Sequence, residues 1–387
     1  MWRPALARSA CVAAASAAGR ACAGPWGGVS ACAPLGVSSA ALAGCASLGS
    51  RVVQVMASRL PLFDAAVPAR ARGYATPVRA AAGAAALRSV DDDRERRGIF
   101  LVECGDRSGI IRSVSDAIEQ RGGTIRHIDL HVERGTFWGR IEFAYDPTDW
   151  PSREVRSDFL QESGVVGLLP EVRNPKLILT DALGTPERLI PVAVMASKQD
   201  HCLVDFLYRW QSGELPVDLK CVVSNHPVPA RSHVARFLDR HGVPLHILPA
   251  HTPRSNEPDV LRKVAGTELL VLARYMQVLS ANFLDEYGHD IINIHHGLLP
   301  SFKGAAPYRQ AYTAGVKIIG ATAHFVTENL DEGPIIRQLV ESVTHRDSLA
   351  TLARKSKSLE QRCLADAVRM YVEGRVIKGP RGVIVLE

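Results

Sequence analysis

The sequence contains few cysteines, and they form no recognisable pairs. Eight occur in 387 residues. Four lie within the first 45 residues, and the rest are far apart: Cys11, Cys22, Cys32 and Cys45, then Cys104, Cys202, Cys221 and Cys363. This spacing excludes a disulfide framework and is typical of a reducing compartment. The HExxH and Cys/His ligand spacings are also missing, so we expect no metal site.

Acidic residues are nearly missing from positions 1–90, which hold nine arginines, no lysine and only Asp64 as an acid. Of the chain's 46 basic and 40 acidic residues, 37 and 39 therefore fall outside this segment. The net charge of +6 belongs to the leader, which removes the main argument for nucleic-acid binding.

Residues 1–95 are rich in alanine, serine, glycine and arginine, a composition typical of an organelle transit peptide. A disordered low-complexity arm is the alternative. We expect a mitochondrial protein, with a plastid location as the second option. No stretch reaches the roughly 18 uninterrupted apolar residues of a membrane span, so no membrane partner is expected.

A small domain is predicted over residues 98–172. Its strands and helices are indicated by apolar periodicity and by glycine or proline boundaries. The predicted order is strand, helix, strand, strand, helix: residues 98–104, 110–118, 124–132, 136–145 and 151–160. This order predicts a ferredoxin-like α+β domain.

The turn Cys104–Ile110, with the sequence CGDRSGI, resembles the opening signature of the ACT domain family, although that family often has proline where Gly105 stands. The resemblance implies a regulatory module that pairs with another copy and binds a small amino acid. A domain that only joins subunits is the alternative. We therefore expect a homo-oligomer with an amino-acid effector at this domain.

Residues 173–187 contain two prolines and a glycine among polar residues, and they predict a linker. From residue 188 to 387, apolar strands alternate with helices. Strands such as residues 268–273 are almost continuously apolar, as expected of a parallel sheet covered on both faces. The pattern predicts a doubly wound α/β domain that binds its ligand at the carboxyl ends of the strands.

Two polar motifs in this domain carry candidate chemistry. Asn293 and His295 lie two residues apart on a predicted strand, so their side chains point to one side and could stabilise an oxyanion. Asp331 lies in an acidic loop after a later strand, where burial beside a histidine would suit it to proton transfer. The alternatives are a polar pair satisfied by backbone and a solvated acidic turn.

Together these motifs resemble the formyltransferase family that uses 10-formyltetrahydrofolate, whose signature is Asn-x-His, then Leu-Pro and a glycine, then Asp-x-Gly-Pro. The resemblance implies that Asn293 and His295 stabilise the formyl oxygen and that Asp331 takes part in proton transfer. It also implies a folate substrate, no separate cofactor and no metal. The substrate-binding residues that it implies are Arg274, Tyr275, Met276, Val278, Leu279 and Gly304.

The sequence of the loop after the domain's first strand distinguishes two reactions that occur within this family. Phosphate-binding loops are rich in glycine, but Ser197–Leu203 contains none. This loop and the ACT-like module resemble the formyltetrahydrofolate deformylases, which implies that water accepts the formyl group. A formyltransferase with an unknown amine acceptor and a non-catalytic folate or amino-acid sensor are the alternatives. Gly297 and Lys303 depart from the family pattern, which has serine and an apolar residue there.

Overall fold

The structure, a computed structural model, describes residues 95–386 except 251, 253, 303, 305 and 306. The predicted leader lies outside the described residues, apart from Glu95. Within the described part of the chain, no helix combines the length and the apolar character needed to span a bilayer.

The first domain is a four-stranded antiparallel sheet with helices between its strands. Its elements are β1 (Arg96–Gly105), α1 (Ile110–Gln120), β2 (Thr124–Glu133), β3 (Thr136–Tyr145), α2 (Ser152–Leu160), α3 (Val165–Leu168) and β4 (Arg173–Leu179). The sheet order is β2-β3-β1-β4, which is the ferredoxin-like arrangement. Whether this domain is an ACT domain stays a prediction.

Strand β4 corrects the predicted linker. Residues 173–179 pair antiparallel with β1, so the connection between the domains is shorter than the predicted 173–187. Pro175 suggested a break in structure, because proline lacks a backbone N–H. It lies instead on an edge strand, where proline is tolerated.

The second domain is built on a seven-stranded sheet and ends in a small hairpin. Its elements are β5 (Ile190–Ala196), α4 (His201–Gln211), β6 (Val217–Ser224), α5 (His233–Arg240), β7 (Leu245–Ile247), α6 (Glu257–Val264), β8 (Leu269–Ala273), α7 (Ala281–Tyr287), β9 (Asp290–His295), α8 (Pro307–Thr313), β10 (Ile318–Phe325), β11 (Ile335–Ser342), α9 (Leu349–Val372), β12 (Val376–Gly379) and β13 (Gly382–Val385).

The sheet order β11-β10-β9-β8-β5-β6-β7 confirms the predicted doubly wound, mostly parallel fold. Strands β5 to β9 are parallel, whereas β10 and β11 are antiparallel additions at one edge. From β5 the chain winds to β6 and β7 and then returns to β8 on the other side of β5. The crevice at the carboxyl ends of β5 and β8 is therefore the switch point where ligands bind in such folds.

Apolar side chains pack against both faces of this sheet. All five residues of β8 are buried, and alternate residues of β5 and β8 belong to different core clusters on opposite faces. Full burial of one leucine or valine side chain contributes about 1.5–3 kcal/mol. The long helix α9 covers one face, packing against β10, β11 and α4. The loops at the strand ends are therefore attached to a well-packed sheet.

Candidate active site

Strand pairing brings four polar side chains to one face of the sheet, two that the sequence predicted and two that it did not. Asn293 and His295 alternate on β9, and β10 places His324 opposite Asn293 and Thr322 opposite His295. Asn293 is half-buried, while His295 and His324 are buried. The structure thus brings the two residues of the Asn-x-His motif together with a histidine that the sequence reasoning did not assign.

Asp331 reaches this group from the loop between β10 and β11. Its Oδ2 lies 3.3 Å from Nδ1 of His295, and its Oδ1 lies 3.8 Å from Nε2 of His324. The backbone N–H of Gly304 donates to Oδ2 at 3.4 Å. Only 7% of the Asp331 side chain is exposed, whereas Glu328 and Glu332 are exposed. Asp331 is therefore part of the site and does not form a solvated acidic turn.

The backbone of Asp331 has a φ of 55°, in the left-handed region. Aspartate and asparagine enter this region more readily than most residues with a side chain. The conformation turns the carboxylate back toward β9. Gly333, two residues later, has no room for a Cβ, which would lie 1.7 Å from the carbonyl oxygen of Phe325.

Hydrogen bonds keep Asp331 ionised. Burial opposes ionisation, but the hydrogen bond and charge of His295, together with the Gly304 N–H, hold the pKa of Asp331 below its ordinary value. A carboxylate that stays charged can orient a neighbouring imidazole and attract a proton.

The hydrogen-bond partners define the protonation pattern of His324. Its Nδ1 lies 2.8 Å from the carbonyl oxygen of Phe325, so Nδ1 carries the proton. Burial lowers the pKa of His324, which favours the neutral ring. Nε2 is then an acceptor, and Nδ2 of Asn293 donates to it at 3.2 Å. This contact fixes the orientation of the Asn293 amide.

Both ring nitrogens of His295 face oxygen atoms. Nδ1 faces Asp331, and Nε2 lies 3.2 Å from the carbonyl oxygen of Phe302. Gly297 leaves space beside this ring, since a Cβ there would lie 3.2 Å from Nε2 and 2.8 Å from Cβ of Pro307. This departure from the family pattern therefore borders the site directly. Lys303, the other departure, lies outside the described residues.

A buried threonine anchors the loop that follows β9. The Thr322 hydroxyl donates to the carbonyl oxygen of Gly297 at 2.8 Å and accepts from the N–H of Leu299 at 3.1 Å. Gln338 of β11 donates to the Leu299 carbonyl oxygen at 2.8 Å and to Thr322 at 3.0 Å. Neither Thr322 nor Gln338 was identified from the sequence, because their role depends on strand register.

The segment that the family resemblance assigns to folate binding follows β8 and lies at the switch point. The side chains of Arg274, Tyr275 and Leu279 are buried, while Met276 and Val278 are 59% and 44% exposed. The N–H of Met276 donates to the hydroxyl of Ser197 at 2.9 Å, which joins this segment to the loop after β5. Substrate contacts by these residues and by Gly304 stay a prediction.

His201, Cys202 and Glu360 form the one cluster of potential metal ligands among the described residues, with ligand atoms within 4.8 Å of one another. Two features favour an ion-pair cluster over a metal centre. The Arg274 guanidinium lies 3.3 Å from Glu360, where it competes with a cation. Burial, reinforced by Glu360, raises the pKa of the Cys202 thiol well above its ordinary value, whereas a metal needs the thiolate.

His296 should make the fold sensitive to acid. It is buried next to His295, and burial together with the charge of Arg274 lowers its pKa to about 3. In the unfolded chain the same imidazole takes up a proton near pH 6.5. The unfolded state therefore binds more protons between these values, so the free energy of unfolding should fall by up to about 1.4 kcal/mol per pH unit as the pH drops.

Denaturant unfolding of the wild-type chain and of His296→Gln between pH 7 and pH 5 measures this effect. We expect a shallower pH dependence in the variant. The exposed His345, replaced by glutamine, is the matched control. Equal slopes for wild type and His296→Gln would contradict the assignment.

Comparison with known proteins identifies the family. Residues 190–368 match the formyl transferase domain family. Formyltetrahydrofolate deformylase 1, mitochondrial, from Arabidopsis thaliana is 48% identical over 72% of this chain and 85% of its own length. The Synechocystis deformylase is 39% identical over 72% and 94%. A crystal structure of the Pseudomonas syringae deformylase covers 76% of this chain and 95% of its own, with a TM-score of 0.65 and 35% identity. The chain belongs to the formyltetrahydrofolate deformylase family.

Proposed function

We propose that the chain hydrolyses 10-formyltetrahydrofolate to formate and tetrahydrofolate, and that Asn293, His295 and Asp331 carry the reaction. The observation that supports this most directly is the 3.3 Å contact between Asp331 and His295, beside Asn293 on the same face of the sheet. A charged acceptor, an imidazole and an amide thus converge on one place at the carboxyl end of β9.

In this mechanism Asp331 orients a water molecule and takes its proton as the water oxygen attacks the formyl carbon. The carbonyl oxygen becomes an oxyanion, which His295 and Asn293 stabilise. An amide carries two N–H groups, and His324 engages only one of those on Asn293. The other donates to the oxyanion. Protonation of N10 then breaks the C–N bond and releases formate and tetrahydrofolate.

The proton for N10 has two potential donors. Asp331 holds the proton taken from water, and His295 has a ring nitrogen, Nε2, on the side away from Asp331. We propose Asp331 as the base in the attack, and either group as the acid in the breakdown. Their direct contact lets one proton pass between them without rearrangement.

Water is the proposed acceptor of the formyl group because Ser197, in the loop after β5, already makes hydrogen bonds within the protein. The Ser197 hydroxyl donates to Oδ1 of Asn225 at 2.7 Å and accepts from Met276. This loop has no glycine that would let its backbone approach a phosphate closely. This loop therefore lacks the features of a binding site for the phosphate of a phosphorylated amine.

One assay tests the proposed reaction. The purified chain is incubated with 10-formyltetrahydrofolate without any amine, with and without a metal chelator, and formate is measured. We expect formate release at the same rate in both arms, since the proposed chemistry needs neither metal nor further cofactor. Release only with an added amine would establish a transferase, and tight binding without turnover a sensor.

Features of the leader and of the first domain bear on location and assembly. We propose mitochondrial targeting, with a plastid as the alternative; the leader composition and the mitochondrial naming of the Arabidopsis relatives support it. We propose that the first domain mediates homo-oligomer formation and binds an amino-acid effector. The ferredoxin-like strand order and the CGDRSGI turn support this role. Neither nucleic acid nor membrane is a proposed partner.

A further inference from the structure

The backbone of Phe325, the last residue of β10, is joined to two parts of the proposed site. Its carbonyl oxygen accepts from Nδ1 of His324 at 2.8 Å. Its N–H donates to the carbonyl oxygen of Pro334 at 2.9 Å, just after the turn that carries Asp331. A Cβ on Gly333 would lie 1.7 Å from the Phe325 carbonyl oxygen, so this turn packs directly against it. A displacement of Phe325 would therefore act on both His324 and the Asp331 turn.

The side chain of Phe325 points to the face of the sheet opposite His324, because successive residues of a strand alternate. Only 3% of Phe325 is exposed. Near the end of α9, the ring of Tyr371 meets the Phe325 ring edge-on, with centroids 6.1 Å apart. On β12, Nζ of Lys378 lies 4.5 Å from the centroid of the Phe325 ring. Both α9 and the C-terminal hairpin thus contact this ring.

Asp290, the first residue of β9, binds the two side chains that contact the ring. The hydroxyl of Tyr371 donates to Oδ2 of Asp290 at 2.9 Å, and Nζ of Lys378 pairs with Oδ1. Burial and the charge of Asp290 raise the pKa of Tyr371, so its hydroxyl keeps its proton and remains a donor. Asp290, Phe325, Tyr371 and Lys378 form what we call the Phe325 cluster. It connects α9 and the hairpin to both strands that carry the proposed site.

The position of the proton on His324 determines how the Asn293 amide is oriented. With the proton on Nδ1, directed to the Phe325 carbonyl oxygen, Nε2 accepts from Nδ2 of Asn293. With the proton on Nε2, the amide would have to present its oxygen to the ring and turn its N–H groups away. The N–H group proposed to donate to the oxyanion therefore depends on the placement of the Phe325 carbonyl oxygen.

We propose that Phe325 is a positioning residue for the reaction: its ring, held by Tyr371 and Lys378, fixes the carbonyl oxygen that keeps the proton of His324 on Nδ1. Phe325 acts through His324 and Asn293 and does not itself contact the reacting atoms. The proposal rests on the hydrolytic function proposed above, in which Asn293 donates to the oxyanion. It extends the site to the opposite face of the sheet and to the C-terminal hairpin.

Kinetics of variants in the cluster test the proposal. Lys378→Met removes the cation beside the ring, so we expect kcat for formate release to fall about twofold to fivefold, with KM unchanged. Lys378→Arg keeps a cation there and should restore most of the loss. Phe325→Leu removes the ring and should lower kcat about tenfold or more, toward the loss of a whole oxyanion donor. Lys357 is an exposed lysine of α9, and Lys357→Met should match wild type.

Nitrogen NMR of labelled histidine side chains locates the proton directly and needs no turnover. We expect His324 of wild type to carry its proton on Nδ1, and a share of the Nε2–H form to appear in Lys378→Met and, more strongly, in Phe325→Leu. The signals that disappear in His324→Gln identify the residue. An unchanged proton position in folded Phe325→Leu, or equal losses of kcat in Lys378→Met and Lys378→Arg, overturns the proposal. Formate release by wild type, measured in parallel, tests the proposed function separately.

Discussion

Replacing Asp331 with asparagine should lower kcat for formate release by about 10²–10⁴-fold, the usual contribution of a positioned general base. The reason is the loss of charge in a nearly buried position, where Asp331 is the one carboxylate that the described structure places against His295. Asparagine keeps the size and the hydrogen bond from Gly304, and it tolerates the φ of 55°. The fold should therefore survive the change.

Steady-state kinetics and a thermal melt check this expectation together. KM should change little, because Asp331 is proposed to act in the reaction step and not in holding the folate. Asp239 on α5 is exposed and supplies the matched control, Asp239→Asn, which should leave kcat unchanged. Turnover of Asp331→Asn within a few fold of wild type would remove this carboxylate from the mechanism.

Local periodicity explains why much of the fold and part of the site follow from the sequence. The alternation of a strand places Asn293 and His295 on one side before any contact is known. The long apolar runs of β5 and β8 predict strands covered on both faces, and the structure has them in the centre of the sheet. These features depend on neighbours within a few residues, which a sequence displays directly.

The features that were missed depend on register and on distant parts of the chain. His324 meets Asn293 because β10 is antiparallel to β9 with a particular pairing, and no local pattern encodes that choice. The one signal that the sequence offered was a histidine within the mostly apolar segment Ala321–Phe325. Glu360 lies 86 positions after Arg274, on a helix whose own pattern gives no reason to pair the two.

Replacing His295 with glutamine should lower kcat by about 10²–10³-fold, as expected when one oxyanion donor is lost. Glutamine is polar and of similar reach, but it lacks the ring that spans the distance between Asp331 and the carbonyl oxygen of Phe302. The same formate assay measures the loss. His345→Gln is the control, because His345 is an exposed histidine. Turnover of His295→Gln at the wild-type rate would exclude His295 as an oxyanion donor.

The double variant with Asp331→Asn and His295→Gln then reports on the contact between the two side chains. Residues that act through a shared contact give non-additive effects, whereas independent residues multiply their losses. At 3.3 Å, with the charge of Asp331 sustained partly by His295, we expect the double variant to lose much less than the product of the single losses. A fully multiplicative loss would mean that Asp331 acts on water alone and that its contact with His295 is structural.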